Sequence, residues 1–165
     1  MNREMSFEGL VGERCPVFAR ESSKGRVELS AYVGMKPIVL LFVPDLSAAA
    51  CGDFVSAFAA DYDHYRALDA LVVALTAGTS SGGDLPFALI AEARGIFEQF
   101  KAMSQGNLAA GVMLVDRYGQ VRYAQLAASC SELPAEARVA KLLMGFESLC
   151  PECGVPEKHW LAAVE

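Results

Sequence analysis

Six consecutive residues without a polar side chain, Ile38-Val-Leu-Leu-Phe-Val43, lie between Pro37 and Pro44. A run of this length is far too short to span a bilayer. Continuous rather than alternating apolar character is the pattern of a strand buried on both faces of a mostly parallel sheet. The segment after it is equally restrictive. Pro44 ends the run, Ser47 reads as a helix cap, and Cys51 falls in the first turn of a helix expected over Ser47 to Leu68. Helix N-termini carry partial positive charge and unsatisfied N–H groups, which favour a thiolate. A strand that delivers a cysteine to a helix start therefore builds a reactive thiol, and Cys51 is the candidate nucleophile. The same residue also reads as a buried small hydrophobe, because Cys51, Phe54, Phe58, Tyr62 and Tyr65 follow one another at spacings of three and four on one apolar face.

The rest of the chain supplies the partners such a strand needs. A short strand is expected at Val27 to Leu29, entered through Ser22-Ser-Lys-Gly25, and a second buried strand at Ala70 to Leu75. Thr79 to Asp84 is a polar loop and Pro86 to Ile90 a short extended segment. A helix is expected over Glu92 to Met103. Val112 to Val115 and Gln120 to Gln125 form a hairpin around Asp116-Arg-Tyr-Gly119, and Pro134 to Leu149 is a helix. Buried strands alternating with helices predict a central sheet covered on both faces, and the late hairpin makes that sheet mixed. This is an α/β chain that fits a thioredoxin-like sandwich. Residues 1–149 form one expected domain, followed by a C-terminal tail, 150–165, that opens on Cys150-Pro-Glu-Cys153.

With 165 residues the chain has the length of one domain, and 53% hydrophobic residues suffice for a sizeable core. The net charge of −6 and the scatter of Lys and Arg argue against a nucleic-acid partner. No apolar leader precedes residue 10 and no span is long enough for a membrane, so a cytoplasmic location is expected. Cysteines stand at 15, 51, 130, 150 and 153. An odd number without a secretion signal argues for packed, metal-binding or redox-active thiols rather than a disulfide framework.

Five segments in order resemble the peroxiredoxins, the alkyl hydroperoxide reductase/thiol-specific antioxidant (AhpC/TSA) family. They are Gly12-Glu-Arg-Cys-Pro-Val-Phe18, Val27-Glu-Leu-Ser-Ala-Tyr-Val-Gly34, Pro44 to Cys51, Leu85-Pro-Phe-Ala-Leu-Ile-Ala-Glu92 and Leu114-Val-Asp-Arg-Tyr-Gly-Gln-Val-Arg122. The resemblance implies a peroxiredoxin-type thioredoxin-like fold and a thiol-dependent peroxidase without an organic cofactor. It implies a hydroperoxide substrate and a thioredoxin-like electron donor, and it allows a homodimer. Pro44 and Cys51 match the two ends of the family motif Pro-x-x-x-Thr/Ser-x-x-Cys, which makes Cys51 the peroxidatic cysteine, with Pro44 and Ser47 in support. Leu149-Cys150-Pro151 is similar to the segment around the family's resolving cysteine, so Cys150 or Cys153 is the expected second thiol.

The chain departs from that family at three positions. Ala48 stands where the motif carries its hydroxyl, Phe54 where a glutamate is common, and Ala110 where an arginine precedes the hairpin aspartate Asp116. Lys36, Arg94, Arg117 and Arg122 are the cations left for the fold to bring to Cys51. The alternative function is accordingly a degenerate peroxiredoxin-like domain without peroxidase activity, acting as a binding or redox-sensing module. The Cys150/Cys153 pair has two further readings. One is half of a zinc site, completed by His159 and by Cys130 or a partner chain; the other is free thiols in a turn. Cys15 reads as a packed small residue, His64 as solvated, and Cys130 has no assigned role.

Overall fold

The computed structural model describes residues 6–79 and 83–148. The chain enters through a hairpin, β1 (Ala19–Ser22) and β2 (Gly25–Glu28), paired antiparallel from Ala19↔Glu28 to Ser22↔Gly25. The strand expected at Val27–Leu29 thus begins earlier and ends at Glu28, where Leu29 turns into a 3-10 helix. Next comes β3 (Ile38–Val43), with all six residues buried. It is the middle of a five-stranded sheet completed by β4 (Leu71–Thr76), β5 (Ala88–Ile90), β8 (Ala110–Val115) and β9 (Val121–Ala127), in the order β5-β4-β3-β8-β9. β3 runs parallel to β4, with Ile38↔Leu71 in register, and antiparallel to β8, with Ile38↔Val115. The sheet is mixed, as expected from an apolar run followed late by a hairpin.

Because side chains alternate across a strand, β3 feeds two separate cores. Val39, Leu41 and Val43 join a layer containing Cys51, Phe58, Tyr65, Val139 and Phe146. Ile38, Leu40 and Phe42 join the opposite layer with Phe7, Phe97 and Phe100. Phe42 meets Phe7 and Phe97 edge-on, at 5.1 and 5.2 Å between ring centroids. Both faces of the sheet are therefore covered, and this is why the run needs no polar residue.

The helices depart from the sequence expectation at their ends. The helix predicted over Ser47–Leu68 is two: α1 (Ala49–Ala60) and α2 (Tyr62–Ala67), interrupted where Asp61 leaves helical geometry (φ −103°, ψ 19°). Aspartate competes for the backbone in a helix interior and favours such junctions. The predicted helix over Glu92–Met103 shrinks to α3 (Arg94–Gln99), bounded by two left-handed residues, Glu92 (φ 51°) and Lys101 (φ 56°). Beyond it, β6 (Met103–Ser104) and β7 (Asn107–Leu108) form a small hairpin. Its two turn residues, Gln105 and Gly106, both have positive φ, the signature of a turn that matches strand twist. Glutamine in place of the usual Asn or Asp hides this turn in the sequence. The last helix, α4, runs Glu136–Glu147, starting two residues after Pro134. Among the described residues no helix is long and apolar enough to cross a membrane. Residues 80–82 of the expected polar loop, Leu149 and the whole 150–165 tail lie outside the described residues.

Candidate active site

β3 ends at Val43, and Pro44 to Ala48 carry the chain into α1. The Pro44 carbonyl accepts a hydrogen bond from the hydroxyl of Thr76, a fully buried residue at the end of the neighbouring strand β4 (3.4 Å). Ser47 does not cap the helix as expected. Its hydroxyl and its backbone N–H both donate to Oδ1 of Asp45, at 2.6 and 2.9 Å. The carboxylate two residues upstream captures the hydroxyl before the helix begins, and those two bonds hold the Asp45 carboxyl below its usual range. Ala48 is the cap residue, in extended geometry and without a side-chain cap bond, and its carbonyl accepts from the Gly52 N–H (3.0 Å).

Cys51 therefore lies in the first turn of α1, as the sequence predicts, but as a residue buried to 7% exposure. Phe54 and Phe58 stack edge-on one turn and two turns later, 5.1 Å between centroids, on the apolar face expected from the spacing.

Cys51 is disulfide-bonded to Cys130. Cys130 opens a 3-10 helix, Cys130–Glu132, reached from β9 through Ala128 and Ser129, and is itself only 3% exposed. The Ser129 hydroxyl caps this turn by accepting from the Ser131 N–H. The two Cα atoms are 5.1 Å apart although the residues are 79 positions apart in sequence. Local sequence around Cys130 carries no signal for this: a cysteine after a hairpin strand reads like any packed thiol. Only the sheet order, which puts β9 on the far side of β8 and its exit beside α1, brings the two together. Cys130, weighed as a zinc ligand, is used in this bond instead. Among the described residues no group of three His, Cys, Asp or Glu is placed to hold a metal ion. Cys150, Cys153 and His159 lie outside the described residues.

The cations left to activate Cys51 are engaged elsewhere. Lys36 pairs with Asp69 (3.3 Å), Arg94 with Glu98 (3.6 Å), Arg122 with Asp116 (2.5 Å), and Arg117 with Glu147. Ala110, the first residue of β8, is 1% exposed in the same layer as Cys51 and contributes only a methyl group there. Asp116 serves the hairpin: Oδ1 accepts from the N–H groups of Tyr118 and Gln120, and Oδ2 takes Arg122.

Cys15 is buried and free, and burial pushes its thiol up to about 12 against a smaller opposing effect of Arg14. It packs as a small residue, as expected. His64 is not solvated as the sequence suggested. It is half-buried, and its Nε2 is shielded from solvent without a partner among the described residues.

With this geometry in place, the comparisons with known proteins are consistent. Residues 11–124 match the model of the AhpC/TSA family. Among curated proteins none matches. The fold is similar to that of the mitochondrial 2-Cys peroxiredoxin of Plasmodium falciparum, with a TM-score of 0.76 and 15% identity over 88% of this chain and 99% of that one. It is similar to Enterococcus faecalis AhpC (TM-score 0.75, 13% identity, 89% and 98% covered) and to reduced Plasmodium vivax 2-Cys peroxiredoxin (0.73, 15%, 82% and 95%). At these identities the likeness speaks for the fold. The fold, the ordered motifs and the match over residues 11–124 make this chain a member of the AhpC/TSA family of peroxiredoxins, within the thioredoxin-like superfamily.

Proposed function

We propose that this protein is a thiol-dependent peroxidase, or a closely related thiol oxidoreductase, in which Cys51 is the nucleophile and Cys130 its resolving partner. The observation that carries this reading is the disulfide joining the first turn of α1 to the turn after β9. Family membership supports a hydroperoxide as substrate. The Cys51 thiolate attacks one peroxide oxygen, breaking the O–O bond. The product alcohol or water leaves, and Cys51 becomes a sulfenic acid. The Cys130 thiolate then attacks the Cys51 sulfur, forming the disulfide and releasing water. A dithiol of thioredoxin type returns the two electrons and two protons, becoming a disulfide itself. Cys150 and Cys153, one of which the sequence resemblance makes the resolving thiol, are a second thiol pair available to relay those electrons. A cytoplasmic setting, where dithiol donors are kept reduced, fits this cycle, and a homodimer fits the family.

A specific observation favours a second reading, a redox-sensing domain with little peroxidase activity. Ala48 and Ala110 replace hydrogen-bond and charge donors, and Lys36, Arg94, Arg117 and Arg122 are held by carboxylates. By analogy with oxyanion donors, each missing donor costs roughly 100- to 1000-fold in rate.

The two readings separate on peroxide consumption with a dithiol reductant. Consumption by the wild type well above that of free cysteine, abolished in Cys51→Ser and slowed in Cys130→Ser, is the outcome expected of the peroxidase. Consumption no faster than free cysteine, with the disulfide still forming and breaking as the redox potential is varied, leaves the sensor.

A further inference from the structure

Among the described residues two polar side chains lie wholly or almost wholly inside the protein, Thr76 (0% exposed) and Asp116 (3%). Asp116 serves its own hairpin. Thr76 instead reaches across to another element. It is the last residue of β4 and stands opposite Val43, the last residue of β3. The next residue, Pro44, has no N–H to donate across to β4. The Thr76 hydroxyl makes that crossing, donating to the Pro44 carbonyl (3.4 Å) and accepting from the Gly78 N–H (3.4 Å). Thr76 is itself held from the other side. Its carbonyl accepts from the Ala93 N–H, and the Gly78 carbonyl from the Glu92 N–H, both at 2.9 Å. Valine has nearly the same shape and suits a buried strand end without a hydroxyl to desolvate. The hydroxyl is therefore the part of Thr76 that the core does not need.

Downstream of Pro44 the chain has little burial to hold it. Asp45, Ser47, Ala48 and Ala49 are exposed, and Pro44 and Leu46 are half-buried. The hydrogen bonds of this segment run along it. Asp45 Oδ1 takes the Ser47 N–H and hydroxyl, the Asp45 carbonyl takes the Ala48 N–H (3.2 Å), and the Ala48 carbonyl takes the Gly52 N–H (3.0 Å). These bonds stiffen the path from Pro44 to the first turn of α1 without fastening it to the sheet. Later turns of α1 are anchored in the core by Phe54, Val55 and Phe58. The first turn has no side-chain cap, and unpaired N–H groups leave such a turn free to fray. In the oxidised protein the bond to Cys130 holds it. Reduction removes that hold and leaves the Thr76–Pro44 bond.

We propose that Thr76 is a positioning residue for the redox pair: through Pro44 it holds the head of α1 so that Cys51 stays within bonding reach of Cys130 in the dithiol form. The proposal rests on Cys51 and Cys130 being the working pair. The disulfide closes only from the held arrangement, so its closing equilibrium scales with the fraction of dithiol molecules held that way. A purely structural role would act differently. It would lower the stability of the oxidised and reduced forms alike and leave the equilibrium between them unmoved.

The test is a redox titration of the full-length protein in buffers of glutathione and glutathione disulfide. Closing the Cys51–Cys130 bond reduces one glutathione disulfide to two glutathione thiols. Free thiols are trapped with iodoacetamide, and peptide mass mapping separates the Cys51–Cys130 pair from Cys15, Cys150 and Cys153. Thr76→Val is expected to weaken the disulfide about fivefold, the worth of one neutral hydrogen bond, which moves the pair about 20 mV toward the oxidising side. Thr76→Ser, which keeps the hydroxyl, is expected to titrate like the wild type. Urea melts of both redox forms confirm that each variant is folded, and Thr76→Ala substitutes if the valine variant is not. An unmoved equilibrium without the hydroxyl, an equal shift in Thr76→Ser, or failure of the valine and alanine variants alike to fold would each overturn the proposal. The titration uses no peroxide, so the two conclusions fail separately. A shifted equilibrium with no peroxide consumption removes the peroxidase reading and keeps the positioning role. Full consumption with an unmoved equilibrium does the reverse.

Discussion

Cys51 and Cys130 close a covalent loop between the first turn of α1 and the turn that follows β9, with 5.1 Å between their Cα atoms. The bond joins elements that the backbone already packs together, so it forms and breaks within one fold. Cross-linking positions 79 apart removes loop entropy from the unfolded chain, worth about 4.5 kcal/mol by the chain-entropy relation. Reduction should therefore lower the urea midpoint substantially, and Cys130→Ser should be no more stable than the reduced wild type. A midpoint unaffected by dithiothreitol, with loss of the bond verified by mass, would contradict the stabilising effect of the cross-link.

Asp116 and Arg122 form a nearly buried ion pair inside the β8–β9 hairpin, with side chains 4% and 13% exposed. Asp116 also accepts two backbone N–H groups of the turn. Truncating it leaves a buried guanidinium and two donors unpaired, a situation that typically costs about 3–5 kcal/mol. Asp116→Ala should lose stability on that scale in equilibrium urea unfolding, whereas Asp116→Asn, which keeps an acceptor for the turn, should lose less.

Gly119 closes the same turn at φ +88°, and a Cβ there would sit 2.9 Å from Val33 Cγ1 and 3.2 Å from the Gly34 nitrogen. Both the backbone conformation and the backbone neighbour oppose a side chain. Gly119→Ala should cost about 1–3 kcal/mol in the same unfolding assay. Gly12→Ala, also at positive φ but with open space around the added carbon, isolates the conformational part alone.

Glu136, at the start of α4, accepts a hydrogen bond from the Tyr65 hydroxyl (2.7 Å), and Asp61 and His64 lie against it. Burial lifts its carboxyl above the ordinary range, with Asp61 adding to the rise and Tyr65 and His64 opposing it. An acid whose folded value is raised binds its proton more tightly in the native state. Its stabilising effect is thus complete below the ordinary glutamate range and is lost as pH climbs through the raised value. Glu136→Gln should flatten stability against pH across the range just above that of an ordinary carboxylate. An unchanged slope in urea midpoints measured from pH 4 to 7 would count against this assignment.

Cys15, with its thiol pushed up to about 12, should stay unmodified by iodoacetamide at pH 8 in the native reduced protein and react once urea is added. Labelling of Cys15 in the native state at a rate equal to that in urea would show that its site is open.

The sheet core was legible because a strand buried on both faces leaves a mark no other element leaves: Ile38 to Val43 has no polar residue, and Leu71 to Thr76 nearly none. The apolar face of α1 and the turn around Asp116 were legible for the same reason, since periodicity and turn chemistry are local. The Cys51 position followed from a strand ending at a proline before a helix. What local pattern misled was the cap. Ser47 has the right residue type, but Asp45 lies within reach of its hydroxyl, and a competing acceptor two residues away is visible only in three dimensions. The turn at Gln105-Gly106 and the break at Asp61 escaped because each rests on one residue adopting a conformation its type does not announce.

By itself, then, the amino-acid order determined the sandwich, its mixed sheet and the thiol at the head of α1, all consequences of local signals: unbroken apolar runs, helical periodicity and the proline that ends β3. Tertiary structure alone decided that the thiol's partner is Cys130 and that Lys36, Arg94, Arg117 and Arg122 are tied to carboxylates. Most of these are contacts between residues tens of positions apart. Their distances are set by the order of strands across the sheet, which no stretch of neighbouring residues encodes.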